Sequence, residues 1–102
     1  MNKIVFVYIT NPSLGVAKKI ARSLLEKKLI ACGNIVESNS LYPWKGKLVS
    51  AREWILIAKT VKAKYLAVKK EVGKIHPYKI PCITMIPVQA NDGYARWLRS
   101  CL

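Results

Sequence analysis

The sequence of 102 residues is poor in acidic side chains and contains a single histidine, His76. Five Asp and Glu residues stand against 18 Lys and Arg residues, which gives a formal net charge of +13 at pH 7. Triad-type catalysis needs a nucleophile, a base and a residue that orients the base. His76 and Cys82 could supply the first two, but no orienting residue, GxSxG motif or phosphate-binding glycine loop accompanies them. The sequence therefore predicts a protein that is not an enzyme.

Cysteines are few and widely spaced: Cys32, Cys82 and Cys101 form no CxxC motif, and three cannot all pair within one chain. This pattern favours a reduced, cytoplasmic setting. No apolar run approaches the roughly 20 residues of a membrane helix. The N-terminal residues lack a cleavage site and are predicted to form a strand. Because 52% of the residues are hydrophobic, we expect one globular domain spanning residues 1–102.

Apolar periodicity predicts six main elements and a short terminal helix. Residues 3–10 are predicted to form a strand with apolar side chains on both sides. Asn11 followed by Pro12 predicts the start of a helix that runs to about Lys28. Beyond it we predict a strand at 29–42, a turn at 43–46, a strand at 47–60, a helix at 62–75 ended by Pro77, a strand at 80–88 and a helix at 91–100.

This order predicts an α+β fold of the ferredoxin-like type, βαββαβ, with a long hairpin between the second and third strands. Right-handed crossovers would place both main helices on one face of an antiparallel sheet. The strands nevertheless lack polar alternation, since IVFVYI (4–9) is apolar on both sides. The terminal helix is too short to cover a whole second face. We therefore expect a second copy of the chain to cover it, and the aromatic pair Tyr42 and Trp44 indicates the same.

Five short segments carry a resemblance to a known family. They are ACGNI (31–35), SLYPWKGKL (40–48), EWILIAKT (53–60), HPYKIP (76–81) and PVQANDGYARWL (87–98). In this order and with these gaps they resemble the CutA divalent-ion tolerance family over essentially the whole chain. The resemblance implies a cytoplasmic homotrimer of ferredoxin-like subunits packed through their sheets, with the hairpins reaching neighbouring chains. It also implies a role in tolerance of divalent metals, with copper binding.

Two departures from the family pattern bear on the metal. Lys79 and Cys82 occupy positions where family members often carry an acidic residue or glutamine and a glutamate, respectively. The third strand keeps only Glu53 of the acidic residues that usually begin it. A thiolate in place of a carboxylate favours copper over hard cations.

Three residues are candidate metal ligands, and each has a structural alternative. His76 lies where the resemblance places a metal ligand, but a histidine at a helix end can also cap the helix and complement its dipole. Cys82 could supply sulfur, although a lone cysteine is often a small core residue. Cys32 has the same two interpretations. A stable site needs three or four ligands, so a second subunit would have to contribute.

Five further residues are expected at the cleft between subunits. Lys59 ends an apolar strand and could meet an anion or pair with Glu53 of a neighbour. Tyr42, Trp44 and Tyr78 suit a cleft that is apolar on one side and wet on the other, although plain interface packing explains them too.

Two other functions compete with metal tolerance. One is a signalling module of the nitrogen-regulatory PII type that binds a small anion near Lys59. The other is nucleic-acid binding driven by the net charge, but the basic residues are dispersed and no aromatic RNA-binding motif is present, so we expect no specific nucleic-acid partner.

Overall fold

The computed structural model describes residues 3–102. It confirms the α+β class and a four-stranded antiparallel sheet in the order β2-β3-β1-β4. The elements are β1 (Ile4–Asn11), α1 (Leu14–Glu26), β2 (Cys32–Trp44), β3 (Lys47–Val61), a 3-10 turn (Lys62–Lys64), α2 (Tyr65–Ile75), β4 (Ile83–Val88) and α3 (Asp92–Ser100). In this described part of the chain, none of the helices has the length and apolar character needed to span a membrane.

The start of α1 differs from the prediction at Asn11 and Pro12. Ser13 is the N-cap, and its Oγ accepts a hydrogen bond of 3.1 Å from the backbone N–H of Val16. Asn11 is instead the last residue of β1, fully buried opposite Trp54. Both residue types cap helices well, and strand pairing decides between them here.

Three other boundaries also move. The 3-10 turn precedes α2, so the predicted helix at 62–75 begins as α-helix only at Tyr65. The predicted strand at 29–42 begins at Cys32 and continues to Trp44. The predicted strand at 80–88 begins at Ile83, because the residues between Pro77 and Cys82 form a loop without regular structure.

The helix-covered face of the sheet forms the main core. Val5, Val7 and Ile9 of β1 are buried there against α1 and α2. Their partners across β3 lie on the same face, since directly paired residues project to the same side. Both main helices thus lie on one face, as predicted.

The opposite face is covered only in part. α3 packs through Ala95 and Leu98 onto Ile4, at the end of the sheet where β1 begins. Beyond that end the face carries an apolar patch among polar residues: Ile55 is only partly buried, and Val36 and Ile86 are 48% and 43% exposed. We call this uncovered part the open face. Its composition agrees with the two-sided apolar strands seen in the sequence.

The hairpin of β2 and β3 has strands of 13 and 15 residues. Lys45 and Gly46 close it with positive φ angles of 50° and 76°, the type I′ geometry that matches strand twist. Leu41 and Leu48 near the tip are 70% and 78% exposed. The hairpin therefore extends past the core of its own chain.

Candidate functional site

A cavity of about 510 Å³ lies at the end of the open face away from α3. The hairpin forms one wall and the loop that follows α2 forms the other. Five of the residues predicted from the sequence line it, together with Lys79: Tyr42, Trp44, Glu53, Tyr78 and Cys82. The structure thus brings most of the predicted cleft residues to one place within a single chain.

Glu53 is the buried charge of this cavity. Its side chain is on β3, the residue is 6% exposed, and its Oε2 accepts a hydrogen bond of 2.8 Å from the Tyr78 hydroxyl. Burial raises the pKa of Tyr78 well above its usual range, and the hydrogen bond to the Glu53 carboxylate raises it further. The phenol therefore remains a hydrogen-bond donor at physiological pH. A neutral phenol on the loop therefore donates a hydrogen bond to a carboxylate on the hairpin, and both groups line the cavity.

His76 is the C-cap residue of α2 and lies next to Tyr78. Its Nε2 is 2.8 Å from the carbonyl oxygen of Thr10, and its Nδ1 accepts a hydrogen bond of 3.1 Å from the backbone N–H of Tyr78. Because a carbonyl can only accept, Nε2 carries the hydrogen and Nδ1 is the acceptor. The ring also contacts the Tyr78 ring, with centroids 4.9 Å apart. Both ring nitrogens are thus engaged in shaping the loop, and a metal at either would displace one of these hydrogen bonds.

The two cysteines predicted as ligands lie at different places. Cys82 lines the cavity, and its Sγ is 3.5 Å from the Thr84 hydroxyl. Cys32 begins β2, opposite Lys59 and away from the cavity. Among residues 3–102, no three His, Cys, Asp or Glu side chains are grouped closely enough to hold a metal ion. The predicted set of His76, Cys82 and Cys32 is therefore not gathered within one chain.

Lys59 is held by aromatic rings rather than by an acid. Its Nζ lies 5.4 Å from the ring centroid of Phe6 and 5.6 Å from that of Tyr94 on α3. Such cation–π contacts allow an ammonium group to approach an apolar surface without a carboxylate. In the single chain Lys59 is separate from the Glu53 cavity, and its predicted pairing with a neighbour's glutamate stays a prediction.

Sequence reasoning missed Thr10 and Ile80 as contributors to the cavity, and it gave Pro77 only the role of ending a helix. The Thr10 backbone carbonyl orients His76, and a carbonyl carries no residue-type signal. Ile80 lines the cavity and is largely exposed. It was assigned to a strand, although the spacing of Pro77 and Pro81 around it is typical of a loop.

Comparison with known proteins agrees with this architecture. The family model described as CutA1 divalent ion tolerance protein matches residues 5–101. The divalent-cation tolerance protein CutA of Archaeoglobus fulgidus is 48% identical over 84 residues, 82% of each chain. That of Thermotoga maritima is 43% identical over 96 residues, 93% of this chain and 95% of the relative.

Solved structures give the same result. The chain is similar to CutA1 from Ehrlichia chaffeensis with a TM-score of 0.93 at 35% identity, covering 99% and 96% of the two chains. A CutA structure from Archaeoglobus fulgidus, described as periplasmic, has a TM-score of 0.93 at 41% identity over 96% and 97%.

Sheet, hairpin and helices define a small α+β protein, and the matching family model assigns it to the divalent-ion tolerance class. The chain belongs to the CutA family, as the sequence motifs predicted. Since a relative is described as periplasmic, the cytoplasmic location of this chain stays a prediction.

Proposed function

We propose that this protein is a non-enzymatic homotrimer of ferredoxin-like subunits that binds a transition-metal ion, copper in particular, in divalent-cation tolerance. Membership of the CutA family supports the tolerance role. The strand order β2-β3-β1-β4 supports the ferredoxin-like assignment. The single observation that carries the metal site is that Cys82 and the buried Glu53 line one cavity.

The donor set of the cavity fits a soft or borderline ion in part. A Cys82 thiolate and a Glu53 carboxylate would hold the metal, and the thiolate favours copper. One chain offers two such groups where a stable site needs three or four. A neighbouring subunit would supply the remainder, which links metal binding to assembly. His76 would act by positioning the loop, and would ligate only by giving up its hydrogen bond to the Thr10 carbonyl or the one it accepts from the Tyr78 backbone N–H.

The open face supports the trimer. Ile55, Val36 and Ile86 leave an apolar surface that soluble monomers seldom expose. The hairpin tip, with Leu41 and Leu48 exposed, has the reach to cover a neighbour. Light scattering should therefore give the mass of three chains, and a mass of one chain would contradict the assembly.

Calorimetric titration tests the metal site. Reduced protein is titrated with Cu(I) under anaerobic conditions and separately with Cu(II). We expect saturation at a fixed ratio per subunit, and a loss of about tenfold or more in affinity for Cys82→Ser. Cys101→Ser, at the end of α3, is the matched control and should bind like the wild type. Unchanged binding by Cys82→Ser would reject this cavity as the copper site.

Two more variants separate the ligand assignments. Cys32→Ser tests the second sulfur, which lies apart from the cavity within one chain. His76→Ala tests whether the histidine ligates or only positions the loop. If His76 positions the loop, we expect weaker binding at an unchanged stoichiometry.

The alternative signalling function would place an anion against Lys59. No contact in the site favours it, because the Lys59 ammonium lies over Phe6 and Tyr94.

A further inference from the structure

A second cavity, of about 400 Å³, lies at the opposite end of the sheet, where β1 begins and β3 and α3 end. Four cationic residues line it: Lys3, Lys62, Lys64 and Arg99. Its other lining side chains are apolar, and neither an aspartate nor a glutamate is among them. We call this the basic cavity. It is separate from the Glu53 cavity and uses none of its residues.

Among the described residues, no aspartate or glutamate side chain pairs with the cationic groups of the basic cavity. Within residues 3–102 the two ion pairs are Lys27 with Glu71 and Arg52 with Glu37, and neither involves a residue of the cavity. Lys64 Nζ donates a hydrogen bond of 2.7 Å to the Lys28 carbonyl, which fixes one ammonium group in place. Like charges gathered around one concave surface repel each other and raise the local positive potential.

Two of these lysines also lie at an unfavourable position for a helix. Lys62 and Lys64 form the 3-10 turn that leads into α2, and neither that turn nor the first turn of α2 contains an acidic residue. The N-terminal end of a helix carries partial positive charge, so cations there oppose the helix dipole. Lys64 is compensated by its hydrogen bond to the Lys28 carbonyl, whereas no side-chain contact of Lys62 compensates for its position among the described residues. Such an uncompensated arrangement is typical of a functional position.

We propose that the basic cavity binds a phosphate-bearing small anion through the chain of phosphate groups. Arg99 can contact a phosphate with two parallel hydrogen bonds, and Lys3 and Lys62 add mobile point charges. No aromatic ring of residues 3–102 lines the cavity, so these residues offer no platform on which a base could stack. The chemistry therefore selects phosphate groups, whether inorganic or attached to a nucleoside, rather than bases.

The test is calorimetric titration of the protein with inorganic tripolyphosphate. The double variant Lys62→Gln with Arg99→Gln removes two charges from the cavity. The control, Lys69→Gln with Lys70→Gln, removes two charges from exposed positions on α2. We expect the cavity variant to lose about tenfold or more in affinity, and the control less than about threefold. All four residues changed are exposed, so melting curves should show folded protein throughout.

Further ligands distinguish the source of the phosphates. If ATP binds like tripolyphosphate, the phosphate chain alone is recognised; if ATP binds more tightly, contacts to the nucleoside outside the basic cavity add to those of the phosphate chain. Both results support the proposal.

Three results would overturn it. These are no binding of tripolyphosphate by the wild type at millimolar concentration, equal losses in the two double variants, or binding of a single-stranded oligonucleotide without binding of tripolyphosphate. The second would assign the attraction to net charge alone. The third would assign it to nucleic acid.

Discussion

The hydroxyl of Tyr78 donates a hydrogen bond of 2.8 Å to the carboxylate of Glu53, 25 residues earlier in the chain. This contact joins the loop after α2 to β3 and fixes one wall of the Glu53 cavity. His76 supports it from behind by accepting a hydrogen bond from the backbone N–H of Tyr78. Loop and strand are thus held together by a short chain of polar contacts.

Tyr78→Phe should destabilise the protein by about 1–3 kcal/mol, because it leaves a buried carboxylate without its phenolic donor. Tyr42→Phe is the matched control, since within the described residues the Tyr42 hydroxyl has no hydrogen-bond partner, and it should cost less than about 0.5 kcal/mol. Urea denaturation at fixed protein concentration measures both. In a Glu53→Gln background the cost of Tyr78→Phe should shrink, and additive costs would show that the contact contributes nothing.

Glu71 links α2 to α1 and should make stability depend on pH in the acid range. Its Oε2 accepts hydrogen bonds from Lys27 Nζ at 2.7 Å and Ser23 Oγ at 2.8 Å. The hydrogen bond from Lys27 has the larger effect and that from Ser23 adds to it, and together they lower the pKa of Glu71 below its ordinary value of 4.5. A carboxyl whose folded pKa is lowered stabilises the fold above its unfolded pKa, and this stabilisation is lost as pH falls through the folded pKa.

Glu71→Gln should therefore be less stable than the wild type at pH 7, and the difference should decrease as the pH falls below 4.5. Glu26→Gln, exposed at the end of α1, is the control for the loss of one carboxylate. Chemical denaturation across pH 3 to 7 follows both variants. A difference that is constant with pH would show that Glu71 acts through packing rather than charge.

Two glycine-to-alanine substitutions should have opposite effects. Gly73 is inside α2, and a Cβ there would meet no atom within 4 Å, so Gly73→Ala should stabilise by about 0.5–1 kcal/mol. Gly46 has a φ of +76° at the hairpin turn, so Gly46→Ala should destabilise by about 1 kcal/mol. Thermal melts of the two variants give the signs directly. Two shifts of the same sign would contradict the assigned backbone geometry.

Asn11→Asp should be severely destabilising at neutral pH. The Asn11 Nδ2 donates to the carbonyl oxygens of Ile9 at 3.1 Å and Trp54 at 3.0 Å in a fully buried position. A carboxylate cannot donate and would be buried as a charge, so we expect a loss of about 3 kcal/mol or more. Part of the lost stability should be recovered in acid, where the introduced carboxyl group is protonated and can donate one hydrogen bond. Asn39→Asp, at an exposed position of β2, should change stability little, and an equal loss there would contradict the assignment.

The sequence predicted each of the main helices and strands, because the helices carry apolar residues at three-to-four spacing and the strands contain apolar runs. It failed where two local signals competed. Asn11 and Ser13 are equally good caps, and only the pairing of Asn11 with Trp54 in the sheet selects Ser13. The predicted start of β4 was also wrong. A β-branched residue such as Ile80 is typical of a strand, but neither Ile80 nor Cys82 joins the sheet.

The candidate site was predicted in its residue types and partly in its grouping, because Lys59 lies apart from the other predicted cleft residues. Glu53 and Lys59 lie on the same side of β3, six residues apart, which places them about 20 Å from each other. The sequence gives this spacing, but it does not tell which end of the strand meets the loop after α2. The role of His76 depended on the Thr10 carbonyl, and backbone groups are the same at every position.

The two outer strands of the sheet differ in what they offer a neighbouring chain. β4 is six residues long and contains Pro87, opposite Val5, and a proline has no N–H with which to pair an added strand. β2 is 13 residues long, and its single proline, Pro43, lies near the hairpin tip. Strand addition is therefore directed to one edge of the sheet. Because a continuous fibre needs both edges of every copy to accept a strand, the blunted β4 edge blocks open-ended fibre growth through this sheet.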